Sequence, residues 1–294
     1  MLSNQRRLAF AQIIITSLIW GSSFVLIRFG LDDIGPLTLA GLRYSLAGTL
    51  LLPVLRIQKL HIWEFRDYLG YLALLGFLSF TVGNGAMGLA LKYLPSTTVS
   101  LLTNLTSPII LVFSLVWLKE IPGPKQYLGL ALAFGGMLLF FYPFKILFSN
   151  PGLLILSVGL FGFAFYSLLG RFVARTRQVP YLVQTSIPFL VGGGILMIIA
   201  LRVEGVPVIT GRGILILAWM VVFNSIIGYV LYNQALRQLS AVEIDIMLKL
   251  TPFFTAISAW LILGESVSGL QLVAMVVVLA GTLLVQMKPK PDTP

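Results

Sequence analysis

Apolar runs of about 20 residues, separated by short breaks that carry charges, glycines or prolines, constrain this chain more than any other feature. A run of that length crosses about 30 Å of hydrocarbon as one helix. The composition agrees, because 58% of the residues are hydrophobic and only 10% are charged, whereas a soluble domain is about one quarter charged. We therefore predict an all-α integral membrane protein.

The breaks between the runs predict ten transmembrane helices, which leave little chain for a soluble domain. The first run follows Arg6 and Arg7 but is too long for a signal peptide and has no small-residue cleavage site, so we interpret it as a retained helix. The predicted spans are 8–29, 36–56, 68–91, 97–118, 125–143, 151–170, 181–201, 213–235, 241–263 and 268–286.

The distribution of Lys and Arg predicts the orientation. Thirteen of the 20 basic residues fall in loops on the side of the N-terminus, five fall on the other side, and Arg43 and Lys249 lie inside spans. We therefore expect both termini to be cytoplasmic. The net charge of +10 is dispersed between apolar runs, so we do not expect nucleic acid as a partner.

An internal repeat divides the chain into two parts, which we place at residues 1–147 and 148–294. Each part carries five predicted spans, and because five is odd the second part must be inverted relative to the first. Inverted repeats are typical of secondary transporters, whose substrate site lies between the repeats near the midplane. A shift of 145 residues aligns Gly83 with Gly228, Ala90 with Ala235, Glu120 with Glu265, Gln126 with Gln271, and Gly136 with Gly281.

Four ordered motifs carry a resemblance to a known family: Trp20-Gly21, Arg43, Pro108 to Glu120, and Pro252 to Gly264-Glu265. With the two five-helix parts, they resemble the EamA branch of the drug/metabolite transporter superfamily over about residues 8–286. The resemblance implies a bacterial inner-membrane transporter, since members of this branch include exporters of amino acids and related metabolites. The chain departs from the pattern at Lys119, where helix 9 has glycine, and in helix 7, which has no counterpart of Arg43.

Charged residues inside the spans are the first candidate functional groups, because a charge near the bilayer centre costs several kcal/mol. Arg43 is expected about 10 Å deep, where it could bind backbone carbonyls or attract a substrate carboxylate. Asp245 precedes Lys249 by one helical turn, so the two can pair. That pair is either a structural ion pair at the cytoplasmic mouth or a site for the charges of a zwitterion. Together with Glu243, it could also act as a gate or a proton-coupling site.

Small polar residues mark the fourth span, where Asn104 and Ser107 precede Pro108. This segment predicts a locally weakened helix with freed carbonyls that could line a cavity, although such residues also pack helices together. Glu120 and Glu265 end the fourth and ninth spans, and we expect each to bond to the turn that follows it.

Aromatic and amide side chains complete the candidate cavity. Tyrosines near the end of a span often belong to an interfacial belt, but Tyr229 in the eighth span lies deeper than such a belt favours. Trp20 and Tyr166 could supply an aromatic wall. Ordinary packing is the alternative for each. The predicted substrate-binding residues are Trp20, Arg43, Asn84, Asn104, Ser107, Tyr166, Asn224, Tyr229, Tyr232 and Lys249, with Glu243 and Asp245 as gating or coupling residues.

The sequence disfavours a membrane-embedded enzyme or a receptor. His61 is the only histidine and falls in a loop, so a metal site is not expected. The glycines at 192–194 lie inside a span with no lysine after them, so they are not a phosphate-binding loop. We expect no cofactor, a monomeric chain, and only a small molecule and the lipid bilayer as partners.

Among transporters, the sequence favours export of small metabolites, most of all amino acids, including aromatic and apolar ones, by alternating access. Sugar phosphates would need more positive charge than Arg43 and Lys249 supply. The first span has no carboxylate of the kind that small multidrug antiporters use. Other small metabolites and organic cations remain the alternatives.

Overall fold

A computed structural model of the chain describes residues 4–117, 123–142, 150–176, 179–235, 239, 244 and 247–286. Its regular structure is helical throughout these residues. We number the principal helices α1 to α10. They are α1 (Asn4–Phe29), α2 (Pro36–Ile57), α3 (Arg66–Gly76, Phe77–Gly83 and Asn84–Ala90), α4 (Ser96–Thr103 and Thr106–Trp117), α5 (Pro124–Phe140), α6 (Pro151–Thr176), α7 (Tyr181–Val203), α8 (Gly211–Trp219, Met220–Ile227 and Gly228–Ala235), α9 (Thr251–Leu263) and α10 (Gly269–Gln286). A short 3₁₀ turn, Ile62–Phe65, precedes α3.

Local sequence explains where these helices begin and end. Pro36 occupies the first position of α2, where a missing N–H costs nothing. The Thr210 hydroxyl accepts a hydrogen bond from the Gly213 N–H and so caps α8. Gly264 ends α9 with φ +67°, a left-handed conformation that glycine adopts without steric cost.

Within the described residues, six helical stretches are long and apolar enough to cross a membrane. Shorter apolar helices lie at Pro151–Tyr166, Thr251–Leu263 and Gly269–Val285. The all-helical, apolar fold class predicted from the sequence is therefore confirmed. The six stretches are Gln5–Phe29, Pro36–Ile57, Ile62–Ala90, Ser96–Phe113, Tyr181–Val203 and Gly211–Tyr232.

Two details differ from the sequence-based boundaries. α6 continues to Thr176, six residues past its predicted end at 170, because arginine does not interrupt a helix once the apolar run is over. Lys249 was predicted to lie well inside a helix, but it forms a turn with Leu250 directly before α9. The weakened segment predicted in α4 is confirmed, since Asn104 and Leu105 form a turn between its two segments.

The helices pack most extensively in the pairs α2 with α7 and α5 with α10. Glycines make both contacts close. A Cβ built on Gly41 would lie 2.8 Å from the Met197 nitrogen, and one built on Gly281 would lie 2.4 Å from the Ala133 nitrogen. Further contacts join α1 to α8 and α9, and α6 to α3 and α4. Each helix has a repeat counterpart five helices earlier or later in the chain. Replacing every helix by its counterpart converts these pairs into one another or leaves them unchanged, so the contacts follow the sequence repeat.

Candidate functional site

A buried arginine lies at the centre of the helix packing. Arg43 on α2 is 4% exposed. Its Nε donates a hydrogen bond to Ser225 Oγ at 2.8 Å, and its Nη1 donates to Ser23 Oγ at 3.0 Å. Its guanidinium carbon lies 4.8 Å from the centre of the Tyr44 ring. Within the described ranges no carboxylate forms an ion pair with Arg43, so neutral hydroxyls and one aromatic face surround this charge. Such a group can bind an anion.

Six aromatic rings form a continuous cluster beside Arg43, which we call the aromatic cluster. Its ring centroids lie 4.6 Å apart for Tyr44 and Phe80, 4.8 Å for Phe80 and Phe189, and 5.1 Å for Phe189 and Tyr229. Trp20 continues it, 5.1 Å from Tyr229. These separations lie within the range of favourable ring contacts. The cluster consists of Trp20, Tyr44, Phe80, Phe189, Tyr229 and Tyr232.

π-helical segments lie next to the cluster in both parts of the chain. Phe77–Gly83 is the π-helical part of α3, and Met220–Ile227 is that of α8. The 145-residue shift moves the first segment onto residues 222–228, which overlap most of the second segment. π-helical turns free backbone carbonyls and often occur at functional sites. Trp20 Nε1 donates to one of them, the Asn224 carbonyl, at 3.2 Å.

Asn84 links the π-helical part of α3 to the Arg43 region. Its Nδ2 donates to the Ser79 carbonyl at 2.8 Å, and its Oδ1 accepts a hydrogen bond from the Tyr44 hydroxyl at 2.7 Å. Both polar ends of this buried amide are satisfied, and the network fixes the Tyr44 ring against Arg43.

Asn224 on α8 plays a related part against α1. Its Nδ2 donates to the Ile19 carbonyl, which fixes the orientation of the amide. Its Oδ1 is buried and has no hydrogen-bond partner. Asn224 is fully buried beside Ser225, the residue that accepts from Arg43.

Tyr229 and Tyr166 bring two further hydroxyls to the region. The electrostatic neighbours of Tyr229 include Arg43, Tyr44 and Tyr166. In the described part of the chain, neither the Tyr229 nor the Tyr166 hydroxyl forms a hydrogen bond. Both residues are half-buried, and each hydroxyl keeps its full hydrogen-bonding capacity.

A second polar group lies where the chain turns in α4 and before α9. The turns at residues 104–105 and 249–250 are separated by 145 residues. Lys249 is 5% exposed, and its Nζ donates to Ser107 Oγ at 2.8 Å. Asn104 is 6% exposed at the other turn. One turn further along α9, Thr255 Oγ1 lies 2.9 Å from Ser100 Oγ, so polar contacts join α4 to the second part of the chain.

The structure therefore sorts the predicted site residues into two groups. Glu243 and Asp245, the predicted gating residues, lie outside the described residues. Tyr44, Phe80 and Phe189 were not predicted, although Phe189 is the counterpart of Tyr44 under the 145-residue shift and the repeat could have indicated it. The first group contains Trp20, Arg43, Asn84, Tyr166, Asn224, Tyr229 and Tyr232, and the second contains Asn104, Ser107 and Lys249.

Carboxylates at the ends of α7 and α9 bind the first turns of other helices. Glu204 accepts hydrogen bonds from the Leu37 and Thr38 N–H groups at 3.0 and 2.8 Å. Glu265 accepts from the Ser96 N–H at 3.0 Å and lies 3.3 Å from Arg28 Nε. The expectation that Glu265 bonds to its own following turn was wrong, because the first turn of α4 offers its side chain free N–H donors. Glu120 lies outside the described residues.

No three His, Asp or Glu side chains come together as a metal ion would require, among the side chains that the structure includes. The groups at the site are suited to binding through hydrogen bonds, charge and ring contacts. They are a buried cation, hydroxyl and amide groups, and aromatic faces. Together with the apolar helices, these groups define the class as a multi-span membrane protein with a polar and aromatic site buried between its helices.

The chain belongs to the EamA-like transporter family, whose model matches residues 7–142 and 150–287. An uncharacterized transporter of Archaeoglobus fulgidus is 27% identical and is aligned over 93% of this chain and 96% of its own length. The uncharacterized inner membrane transporter YedA of Escherichia coli is 25% identical, over 91% of this chain and 87% of its own length. An S-adenosylmethionine/S-adenosylhomocysteine transporter of Chlamydia trachomatis is 26% identical, with 88% and 83% aligned.

A protein of known crystal structure has the same fold. It superposes with a TM-score of 0.64 at 16% identity, over 94% of this chain and 95% of its own. Because it belongs to the EamA-like transporter family, the chain is a multi-pass membrane transporter, as the resemblance implied.

Proposed function

We propose that this protein is a secondary transporter that exports small carboxylate-bearing metabolites, most of all amino acids with apolar or aromatic side chains. The observation that carries the proposal is Arg43, a buried cation beside the aromatic cluster with no carboxylate partner in the described residues. A substrate carboxylate would supply the missing negative charge through paired hydrogen bonds, and the aromatic cluster would receive the side chain.

The free hydroxyls support a zwitterionic substrate. Tyr229 and Tyr166 each offer an oxygen that can accept a hydrogen bond from an ammonium group, and Asn224 Oδ1 is a buried acceptor without a partner. The Chlamydia relative is named for S-adenosylmethionine, which is itself an amino-acid derivative.

The transport cycle in this proposal is alternating access by ten spans in two inverted repeats, residues 1–147 and 148–294. The repeat-related helix contacts support it, and so do the paired π-helical segments and turns at equivalent positions. In this scheme the protein is a monomer in the inner membrane with both termini in the cytoplasm. Asn104, Ser107 and Lys249, with Glu243 and Asp245, form the cytoplasmic gate.

Counterflow in proteoliposomes tests the substrate. Vesicles preloaded with one unlabelled compound are offered the labelled form, over a panel of amino acids, organic cations and sugar phosphates. We expect exchange of apolar or aromatic amino acids. Exchange of organic cations or sugar phosphates alone would refute the proposal. An imposed pH gradient then shows whether protons drive the flux.

Arg43 variants test the carboxylate contact. We expect Arg43→Gln to lower the affinity for amino acids by tenfold or more, because hydrogen bonds to charged groups contribute about 1.5–3 kcal/mol each. Arg43→Lys should lose most of that affinity as well, since an ammonium cannot form the paired contact. Arg66→Gln is the matched control, because the Arg66 side chain is 79% exposed. Equal affinities in all variants would remove Arg43 from the substrate site.

A further inference from the structure

A small cavity lies against Arg43 on the side of the protein where α1 ends. Its volume is about 10 Å³, which holds about one water molecule. Besides Arg43 and Tyr44, it is lined by the beginning of α2, including Pro36 and Ala40, and by the end of α3, including Gly88. It therefore extends from the buried arginine toward the first turn of α2.

The first turn of α2 is held by Glu204, which comes from the end of α7. Besides the Leu37 and Thr38 N–H groups, Glu204 accepts a hydrogen bond from the Thr38 hydroxyl at 2.7 Å. Gly35 makes room for this contact, because a Cβ at that position would lie 2.2 Å from Glu204 Oε2. One carboxylate thus fixes the wall of the cavity to the second part of the chain.

Further polar contacts at the same face also join the two parts of the chain. Arg28 at the end of α1 pairs with Glu265. Asp33 pairs with Arg212 at 3.2 Å and accepts a hydrogen bond from the Thr210 hydroxyl at 2.6 Å. Any rocking that separates the two parts at this face must break these contacts.

We propose that the cavity beside Arg43 is the closed form of a passage to the face where α1 ends, and that the Glu204 carboxylate is the gate of this passage. Releasing Glu204 frees the first turn of α2, and the cavity then widens to admit a solute that carries a carboxylate. The gate rests on the proposed transport cycle, but its test measures access to the cavity and needs no substrate.

Cysteine labelling measures that access directly, because the chain has no cysteine of its own. Ala40→Cys places one thiol on the cavity wall, where the residue is 7% exposed. The probe is a charged, membrane-impermeant maleimide, applied to vesicles of known orientation from the face where α1 ends. We expect Glu204→Gln to raise the labelling rate about tenfold over the parent chain. A Gln side chain keeps the shape of Glu204 but loses the charge-assisted bonds to the α2 N-terminus.

Three further variants frame this measurement: a control carboxylate, a second gate variant and a reference thiol. Glu64→Gln changes an exposed carboxylate in the loop between α2 and α3, and we expect no change in rate. Gly35→Ala leaves the Glu204 carboxylate intact but displaces it, and we expect the same rise as for Glu204→Gln. Val206→Cys, 86% exposed next to the gate, reports full access to the reagent.

A further thiol separates gating from loss of structure. Ala133→Cys lies fully buried between α5 and α10 and must stay unlabelled in the Glu204→Gln background. An unchanged rate at Ala40→Cys in both gate variants would overturn the proposal. So would labelling of Ala133→Cys together with Ala40→Cys, because this outcome means general loosening. Failure of the gate would leave the Arg43 substrate contact standing, and loss of the Arg43 contact would leave the labelling result unaffected.

Discussion

Gly192 and Gly194, two residues apart on α7, allow a test of how closely α7 approaches α3. A Cβ built on Gly192 would lie 2.2 Å from the Gly76 carbonyl oxygen on α3, whereas one built on Gly194 meets nothing within 4 Å. Ordinary contact begins at 3.4 Å, so Gly192→Ala must push α3 and α7 apart by about 1 Å. The two backbones cannot yield as a flexible side chain would.

The two substitutions are expected to change the free energy of unfolding in opposite directions. In a helix interior, alanine is favoured over glycine by about 1 kcal/mol, so Gly194→Ala should leave the free energy of unfolding unchanged or raise it by up to that amount. Gly192→Ala gains the same term but loses about 1–3 kcal/mol or more to overpacking. We therefore expect Gly192→Ala to be less stable than Gly194→Ala by about 2 kcal/mol.

Unfolding of the purified protein in mixed micelles, followed by circular dichroism, measures this difference. Gly192→Ala should also reduce transport, because Phe80 of the aromatic cluster lies 2.7 Å from the added Cβ. Equal stabilities of the two variants would show that α3 and α7 do not pack as described, and the reasoning would fail.

The site itself yields two further predictions. Tyr44→Phe should destabilise the protein by about 1–3 kcal/mol, since Asn84 Oδ1 would lose its buried donor. Tyr229→Phe should change stability by less than about 0.5 kcal/mol but weaken substrate binding several-fold. Unfolding and binding titrations of both variants would show whether the effects on stability and on binding separate. For Lys249 and Ser107, a double-mutant cycle of Lys249→Met and Ser107→Ala should give a coupling free energy of about 0.5–1.5 kcal/mol, and a value near zero would contradict the contact.

Features carried by local composition were predictable from the sequence. The beginning of α2 at Pro36 follows from an apolar run with proline at its start. The turn at Asn104 follows from a cluster of polar residues before Pro108. Hydropathy and turn chemistry act over a few residues, so a short window contains the whole signal.

Features that depend on distant partners were not predictable. Glu265 binds α4 about 170 residues earlier in the chain, and no nearby residue indicates this partner. Phe80 resembles other phenylalanines in apolar runs, so only packing reveals that its ring meets those of Tyr44 and Phe189. The π-helical segments at Phe77–Gly83 and Met220–Ile227 also have no local signal, since their residues are good membrane-helix formers.

The contact between Tyr44 and Phe189 has a consequence for energetics. The two rings are equivalent under the 145-residue shift and lie 5.4 Å apart, so in the proposed inverted arrangement they flank the symmetry axis. In the proposed cycle, the helices would move least at this axis. Arg43 lies next to Tyr44, and its counterpart under the same shift is Pro188. The positive charge of the guanidinium group therefore lies on one side of this axis only. In the proposed alternating-access cycle, the two end states would then differ in free energy, and the empty transporter would rest with one side preferentially closed.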